Sequence, residues 1–220
     1  MFLEEAKKIG EILLRLELDE NSILYDVGSS TEEYRCLYQP YVDYYLFRPL
    51  RAKKVAIIHV DRKKDNGVDL VCDITDRNQC DIVKTIRPAD VVLCCSLLEH
   101  VTDRQGVVSR LGNITKPGGV IVVTVPHVFV YHEDPIDTMY RPSNTELEEL
   151  FPKEAFDVIE SSIIEIISQP LGYKVGPFRL CGSRNIVLHV FQKTLRYVGQ
   201  RAKRIAIIPN EVSIVVVKKK

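Results

Sequence analysis

Aspartates close three short apolar runs in the first third of the chain. Asp26-Val27-Gly28-Ser29-Ser30 follows "SILY", Asp61 ends "KVAIIHV", and Asp73 ends "VDLVC". Gly28 lets the backbone turn tightly and lets a ligand approach, and the N–H groups after it can receive a carboxylate; a strand-ending glycine is also an ordinary turn. An ionised carboxylate only accepts hydrogen bonds, so Asp61 can take both hydroxyls of a ribose, or simply close a solvated strand. Asp73, with the N–H of Ile74, can meet the edge of an adenine or cap a turn. A fourth apolar run, "DVVLCC", breaks at Ser96-Leu97-Leu98-Glu99-His100. In order, acid plus glycine, acid, acid and polar break suit an adenosine ligand.

A fifth run leads into "PHVFVYHEDPIDTMYRPS" (126–143), which carries His127, His132, Asp134, Asp137, Tyr140 and Arg141. Long polar loops of this kind are uncommon without function. Three readings compete: an acceptor-binding loop with a general base, a structural loop, or a metal site from His127, His132 and a carboxylate. The spacing of the two histidines is not that of a helical zinc pair. The first reading is preferred, with no metal expected. His132 is the expected base because Asp134 and Asp137 lie close in the chain, with His127 held at the strand end. Asp137, Tyr140 and Arg141 are expected to contact the acceptor, Arg141 pairing with an acidic one.

Elements that would position these residues follow from the pattern of apolar residues. Residues 2–18 place Phe2, Ala6, Ile9, Leu13 and Leu16 at helical spacing, so 1–20 opens the chain as a helix. Strands are expected at 22–27, 54–60, 68–73, 89–96 and 120–125, with helices at 76–87 and 99–113 and a Pro117-Gly118-Gly119 turn before the fifth strand. These strands are continuously apolar and β-branched, which argues for a parallel sheet covered on both faces. A parallel sheet binds ligands beyond the carboxyl ends of its strands, where all these motifs stand. The later chain reads as a short helix (143–150), a strand (157–167), a Gly/Pro loop (170–183), a helix (186–203) and a closing strand (212–218). The tyrosine-rich segment 36–52, broken by Pro40 and Pro49, reads as an insertion or lid, its tyrosines packing in the core or stacking on a ligand. One domain, 1–220, is expected.

Composition narrows the class. Thirty basic and thirty acidic residues cancel, so the whole domain has no electrostatic footprint for nucleic acid. No apolar run is long enough to span a membrane. The six cysteines are scattered, none in a C-x-x-C pair, which fits a reducing cytoplasm better than a disulfide or zinc framework. Oligomeric state is not legible.

The motifs together resemble those of class I S-adenosylmethionine-dependent methyltransferases, of the type 11 kind. "YDVGSS" is similar to the family's first motif, "HVD" (59–61) to its ribose acid and "CDITD" (72–76) to its adenine contact. "DVVLCCSLLEHVTD" (90–103) and "KPGGVIVVTVP" (116–126) are similar to its fourth- and fifth-strand motifs. The resemblance implies a Rossmann-like α/β fold. Its seven-stranded mixed sheet would have the order 3-2-1-4-5-7-6, the last strand antiparallel and helices on both faces. It implies S-adenosylmethionine as cofactor. Asp26, Gly28, Ser29 and Ser30 would flank its methionine end, Asp61 and Arg62 its ribose, and Asp73 and Ile74 its adenine. Ser96, Leu97 and His100 would line it. The implied activity is methyl transfer to a small-molecule or glycan acceptor. Ser29 and Ser30 stand where the family has glycines, and Glu32 and Glu33 follow; this leaves a non-catalytic binding or scaffold module as the alternative. A nicotinamide oxidoreductase is disfavoured, because Ser30 and Glu33 occupy the other two glycine positions of the G-x-G-x-x-G fingerprint.

Overall fold

The apolar stripe of the first helix buries Ala6, Ile9, Ile12 and Leu13, and the helix α1 runs Leu3–Arg15. Its structure is described from a computed structural model that covers residues 1–76, 87–132, 136–167 and 210–220. The helix expected at 76–87, the loop at 170–183, the helix at 186–203 and Asp134 lie outside the described residues.

Seven strands form one sheet: β1 (Ile23–Val27), β2 (Ala56–Asp61), β3 (Leu70–Val71), β4 (Ala89–Cys95), β5 (Thr115–Val128), β6 (Phe156–Ile166) and β7 (Asn210–Lys219). Their order is β3-β2-β1-β4-β5-β7-β6. β1 to β5 pair in parallel, and β7 runs antiparallel to both β5 and β6. This is the expected Rossmann-like mixed sheet, with one reversed strand.

Alternate residues of the central strands feed two separate cores. Val92 and Cys94 of β4 and Ile121, Val123 and Val125 of β5 pack with Val107, Val108 and Leu111 of α4 (Arg104–Ile114). Leu147 of α5 (Asn144–Glu148) joins the same face. Val91 and Leu93, with Val120 and Val122, pack on the other face against α1 and residues 42–50. A strand buried on both faces has no polar side to write into its sequence, which is why these runs are continuously apolar.

The segment expected as an insertion or lid is the crossover between β1 and β2. Short α-helical turns, α2 (Pro40–Val42) and α3 (Arg48–Ala52), alternate with wider turns at Tyr34–Tyr38 and Asp43–Phe47. Val42, Leu46, Phe47 and Leu50 are buried against α1 and the sheet. Gly10 of α1 lies against the Tyr45 carbonyl, where a Cβ would meet that oxygen at 2.7 Å. Pro40 and Pro49 broke the helical period in the sequence, yet each stands in the first turn of a short helix, where its missing N–H costs nothing. The helix expected over 99–113 is likewise two pieces, a tight turn at Leu98–His100 and α4, whose start is capped by Asp103 accepting from Gly106 N at 2.9 Å.

Candidate functional site

Register places the strand ends side by side: Val27 of β1 is level with Val60 of β2 and Cys94 of β4, and Cys95 with Thr124 of β5. The chain therefore leaves the sheet at Gly28, Arg62, Cys72 and Ser96 along one edge, and β5 ends there too. Among the described residues, three of the four non-glycine residues with left-handed backbone lie beyond this edge: Ser30 (φ 55), Ser96 (φ 51) and Met139 (φ 56). Gly28 turns in the same region (φ 79), and a Cβ on it would meet Leu97 Cδ1 at 3.2 Å. Left-handed serines cost about 1–2 kcal/mol each and persist where surrounding structure holds them.

That hold is visible around Ser30. Asp61 Oδ2 accepts from Ser30 N at 2.8 Å and its Oδ1 from Lys63 N at 3.0 Å. The Arg35 guanidinium is buried and donates to the carbonyls of Ser29 (2.9 Å), Ser30 (2.7 Å) and Gly67 (2.6 Å). Glu32 bonds Asn66 through both backbone and side chain. The turns after β1 and β2 are thus stitched into one unit. A carboxylate offers about four acceptor sites, so Asp61 keeps two for hydroxyl groups after its two backbone bonds. Asp26 faces sideways, 2.8 Å from His59 Nδ1. Asp73 Oδ1 accepts from Thr75 N and Oγ1, and the Ile74 carbonyl receives Arg110 Nε of α4 at 2.5 Å. Arg62 is exposed at the end of β2.

The turn after β4 and the loop after β5 form a second unit. Thr138 donates to the Glu99 carbonyl from its N–H (2.9 Å) and its hydroxyl (2.8 Å), and His100 Nδ1 meets the Ile136 carbonyl at 2.6 Å. His100, expected to line the cofactor, thus has its Nδ1 on the loop and its Nε2 toward Glu99. Its ring lies 5.3 Å from that of His132, which is 5.2 Å from Phe129, itself 5.4 Å from Phe2. Glu99 is fully buried, and neither of its carboxylate oxygens has an aligned hydrogen-bond partner among the described residues. Burial pushes its carboxyl up to about 8, with buried Glu5 of α1 adding to the rise. Burial also holds His132 below its ordinary value, with Asp137 opposing the shift and His100 adding to it. His132 is therefore neutral near pH 7 and has a lone pair to offer.

Asp137 and Arg141, expected at the acceptor, bond each other. The Asp137 side chain is fully buried; it accepts from His132 N (3.0 Å), Met139 N (2.8 Å) and both terminal nitrogens of Arg141 (3.1 and 2.6 Å). Burial alone would raise its carboxyl, but Arg141 and the two backbone N–H groups outweigh it and hold it well below the usual range. Arg141 also donates to the Phe129 and Val130 carbonyls. Tyr140 packs on the core under the Arg104 guanidinium, 4.0 Å from its ring centre. These three residues shape the loop. His127 stands apart, its Nδ1 on the Pro142 carbonyl at 2.9 Å and its Nε2 3.9 Å from Glu211 of β7. Glu99, Arg35 and Arg110 escaped the sequence reading of the site. Glu99 was legible only as a neighbour of His100, and nothing in the sequence singled out the two arginines. An open groove of about 610 Å³, lined by Lys7, Leu14, Tyr44, Tyr45 and Arg48 among others, lies between α1 and the crossover, away from these motifs.

Residues 52–123 match a family model for a methyltransferase domain. No curated protein matches the chain. Among solved structures, a chain of the complex between the Haloferax volcanii Trm112 methyltransferase activator and a methyltransferase superposes with a TM-score of 0.55 at 18% identity, covering 98% of this chain and 89% of that one. Coclaurine N-methyltransferase gives 0.54 at 12% identity, covering 98% and 71%. A Burkholderia thailandensis 1,6-didemethyltoxoflavin-N1-methyltransferase gives 0.51 at 12%, covering 99% and 78%. In its fold and in the matched segment, the chain resembles class I S-adenosylmethionine-dependent methyltransferases.

Proposed function

We propose that this chain binds S-adenosylmethionine along the edge formed by Gly28, Asp61, Asp73 and Ser96, and transfers its methyl group to a small-molecule or glycan acceptor. The observation that carries the reading is the alignment of these features at the ends of adjacent parallel strands, within a sheet whose central segment matches a methyltransferase domain. The residues fit the cofactor: the left-handed turn at Gly28 and the two remaining acceptor sites of Asp61 suit a carboxylate and a ribose in turn. When bound, the cofactor supplies an electrophilic methyl group on a sulfonium. Asp61 would hold the ribose, the Ser29–Ser30 turn the methionine end, and Ile74 the adenine. An oxygen or nitrogen acceptor must give up a proton as its lone pair attacks the methyl carbon and the carbon–sulfur bond electrons return to sulfur. His132, neutral and facing His100 and Phe129, is the group for that proton.

A second reading, a non-catalytic binding module, draws on the Arg35 clamp. Three carbonyls of the turns that would cradle the cofactor are already committed to one buried guanidinium. Calorimetric titration with S-adenosylmethionine and S-adenosylhomocysteine separates the two. A heat that saturates, and that weakens at least ten-fold in Asp61→Asn, supports the enzyme reading. Silence at millimolar ligand leaves the binding module.

A further inference from the structure

Glu99 is a fully buried carboxylate with both oxygens unpartnered among the described residues, next to two histidines. A buried polar group without a partner costs free energy, and one kept in that state needs a reason. One ligand atom from each of Glu99, His100 and His132 lies within 4.8 Å of the other two, and His100 Nε2 is 3.8 Å from Glu99 Oε1. Ligand atoms about 2.0–2.2 Å from a common tetrahedral metal stand roughly 3.3–3.6 Å from one another, so the His100–Glu99 pair is nearly in place and the widest pair must close by up to about 1.5 Å. The group behind His100 is one a metal site uses: the Ile136 carbonyl takes the proton of its Nδ1, leaving the Nε2 lone pair toward Glu99. His132 Nδ1 is buried without an aligned hydrogen bond among the described residues, with Asp137 Oδ2 3.2 Å away.

We infer that Glu99, His100 and His132 form a binding site for a divalent transition-metal ion. Two imidazoles and one carboxylate suit zinc, manganese, iron or cobalt; magnesium and calcium want more oxygens than the cluster offers. Three protein ligands leave a position for water or an acceptor hydroxyl. The site departs from the sequence expectation of no metal, and differs from the alternative weighed there of His127, His132 and a carboxylate, since His127 is held on Pro142 and Glu211. Its role beside an acceptor rests on the methyl-transfer reading; its capacity to hold a cation does not. With a cation bound, His132 is a ligand, and it acts as the proton acceptor only in the metal-free protein.

Chelator-treated full-length protein titrated with Co²⁺ tests this directly. The expected result is a visible d–d spectrum that saturates at one equivalent and is displaced by Zn²⁺. Glu99→Gln and His100→Gln should each weaken binding by at least about ten-fold, with His127→Ala unchanged and folding of each variant checked by circular dichroism. Featureless Co²⁺ spectra of the wild-type protein overturn the site whether or not any variant folds, as does full affinity in folded Glu99→Gln. Protein that binds S-adenosylmethionine but no Co²⁺ refutes the metal site alone. Protein that binds Co²⁺ through Glu99 but no S-adenosylmethionine refutes the methyl-transfer reading alone.

Discussion

Replacing Arg35 with methionine removes the clamp on the turns after β1 and β2 while keeping most of the side chain's volume. Arg35 is 5% exposed, donates to three carbonyls at 2.6–2.9 Å, and has no ion-pair partner among the described residues. A hydrogen bond to a charged group contributes about 1.5–3 kcal/mol, which would suggest a loss well above 5 kcal/mol for three. Two effects reduce it. The buried guanidinium no longer has to be desolvated, and carbonyls in turns near the surface regain water. A loss of about 3 kcal/mol is therefore expected, equivalent to a fall in melting temperature of about 6–12 °C for a chain of this size. Urea denaturation should show a lower midpoint with an unchanged slope. Arg35→Lys should recover only a minor part, because an ammonium lacks the planar fork that reaches Ser29, Ser30 and Gly67 together. S-adenosylmethionine affinity should fall further than stability alone explains, since the left-handed Ser30 loses its support. A loss below about 1 kcal/mol, or a lysine variant as stable as the parent, would refute the clamp.

Saturating S-adenosylmethionine should stabilise the protein by about 2.7 kcal/mol at one hundred times Kd, while NADH gives no comparable thermal shift; equal shifts with both would reject the cofactor assignment. His132→Ala should lower kcat by about 10²–10⁴ at nearly constant cofactor Kd, and full turnover on the true acceptor removes the residue from the chemistry. Ser30→Gly and Ser96→Gly should each be neutral or stabilising by up to about 1 kcal/mol, because release of left-handed strain offsets the greater chain entropy of glycine; a clear loss in denaturant melts would mean the serine side chains matter. Asp90 bears on acid stability: burial alone would raise its carboxyl, but Lys116 and the Ile23 N–H outweigh that and hold it below 3.8. A depressed folded-state value contributes stability that is present above the unfolded value and lost as pH falls through the folded one. Asp90→Asn should thus flatten the stability profile below about pH 4, and an unchanged acid limb in pH-dependent melts would contradict it.

Much of the sheet was legible because burial on both faces writes an unmistakable pattern: the runs at 89–96, 120–125 and 212–218 can be nothing but interior strands. The strand ends were legible for a related reason. A parallel sheet collects its carboxyl ends on one edge, so Gly28, Asp61, Asp73 and Ser96 could be assigned to that edge before any contact was known. The crossover at 34–52 was not legible, because its turns depart from the 3.6-residue period and its prolines read as breaks when they are helix starts.

Side-chain direction was the larger gap. Asp137 and Arg141 have the chemistry of acceptor ligands, and only their mutual distance of 2.6 Å shows them spent on each other. Glu99 looked like one polar letter at a strand end; that it points inward follows from Thr138 holding its carbonyl and His100 turning to Ile136, contacts between segments almost forty residues apart. A loop built this way has a consequence for rigidity. Asp137 ties His132 N, Met139 N and Arg141 together, so the position of the His132 ring depends on one buried carboxylate. Thr138, Asp137 and Arg141 together thus fix where Glu99, His100 and His132 stand.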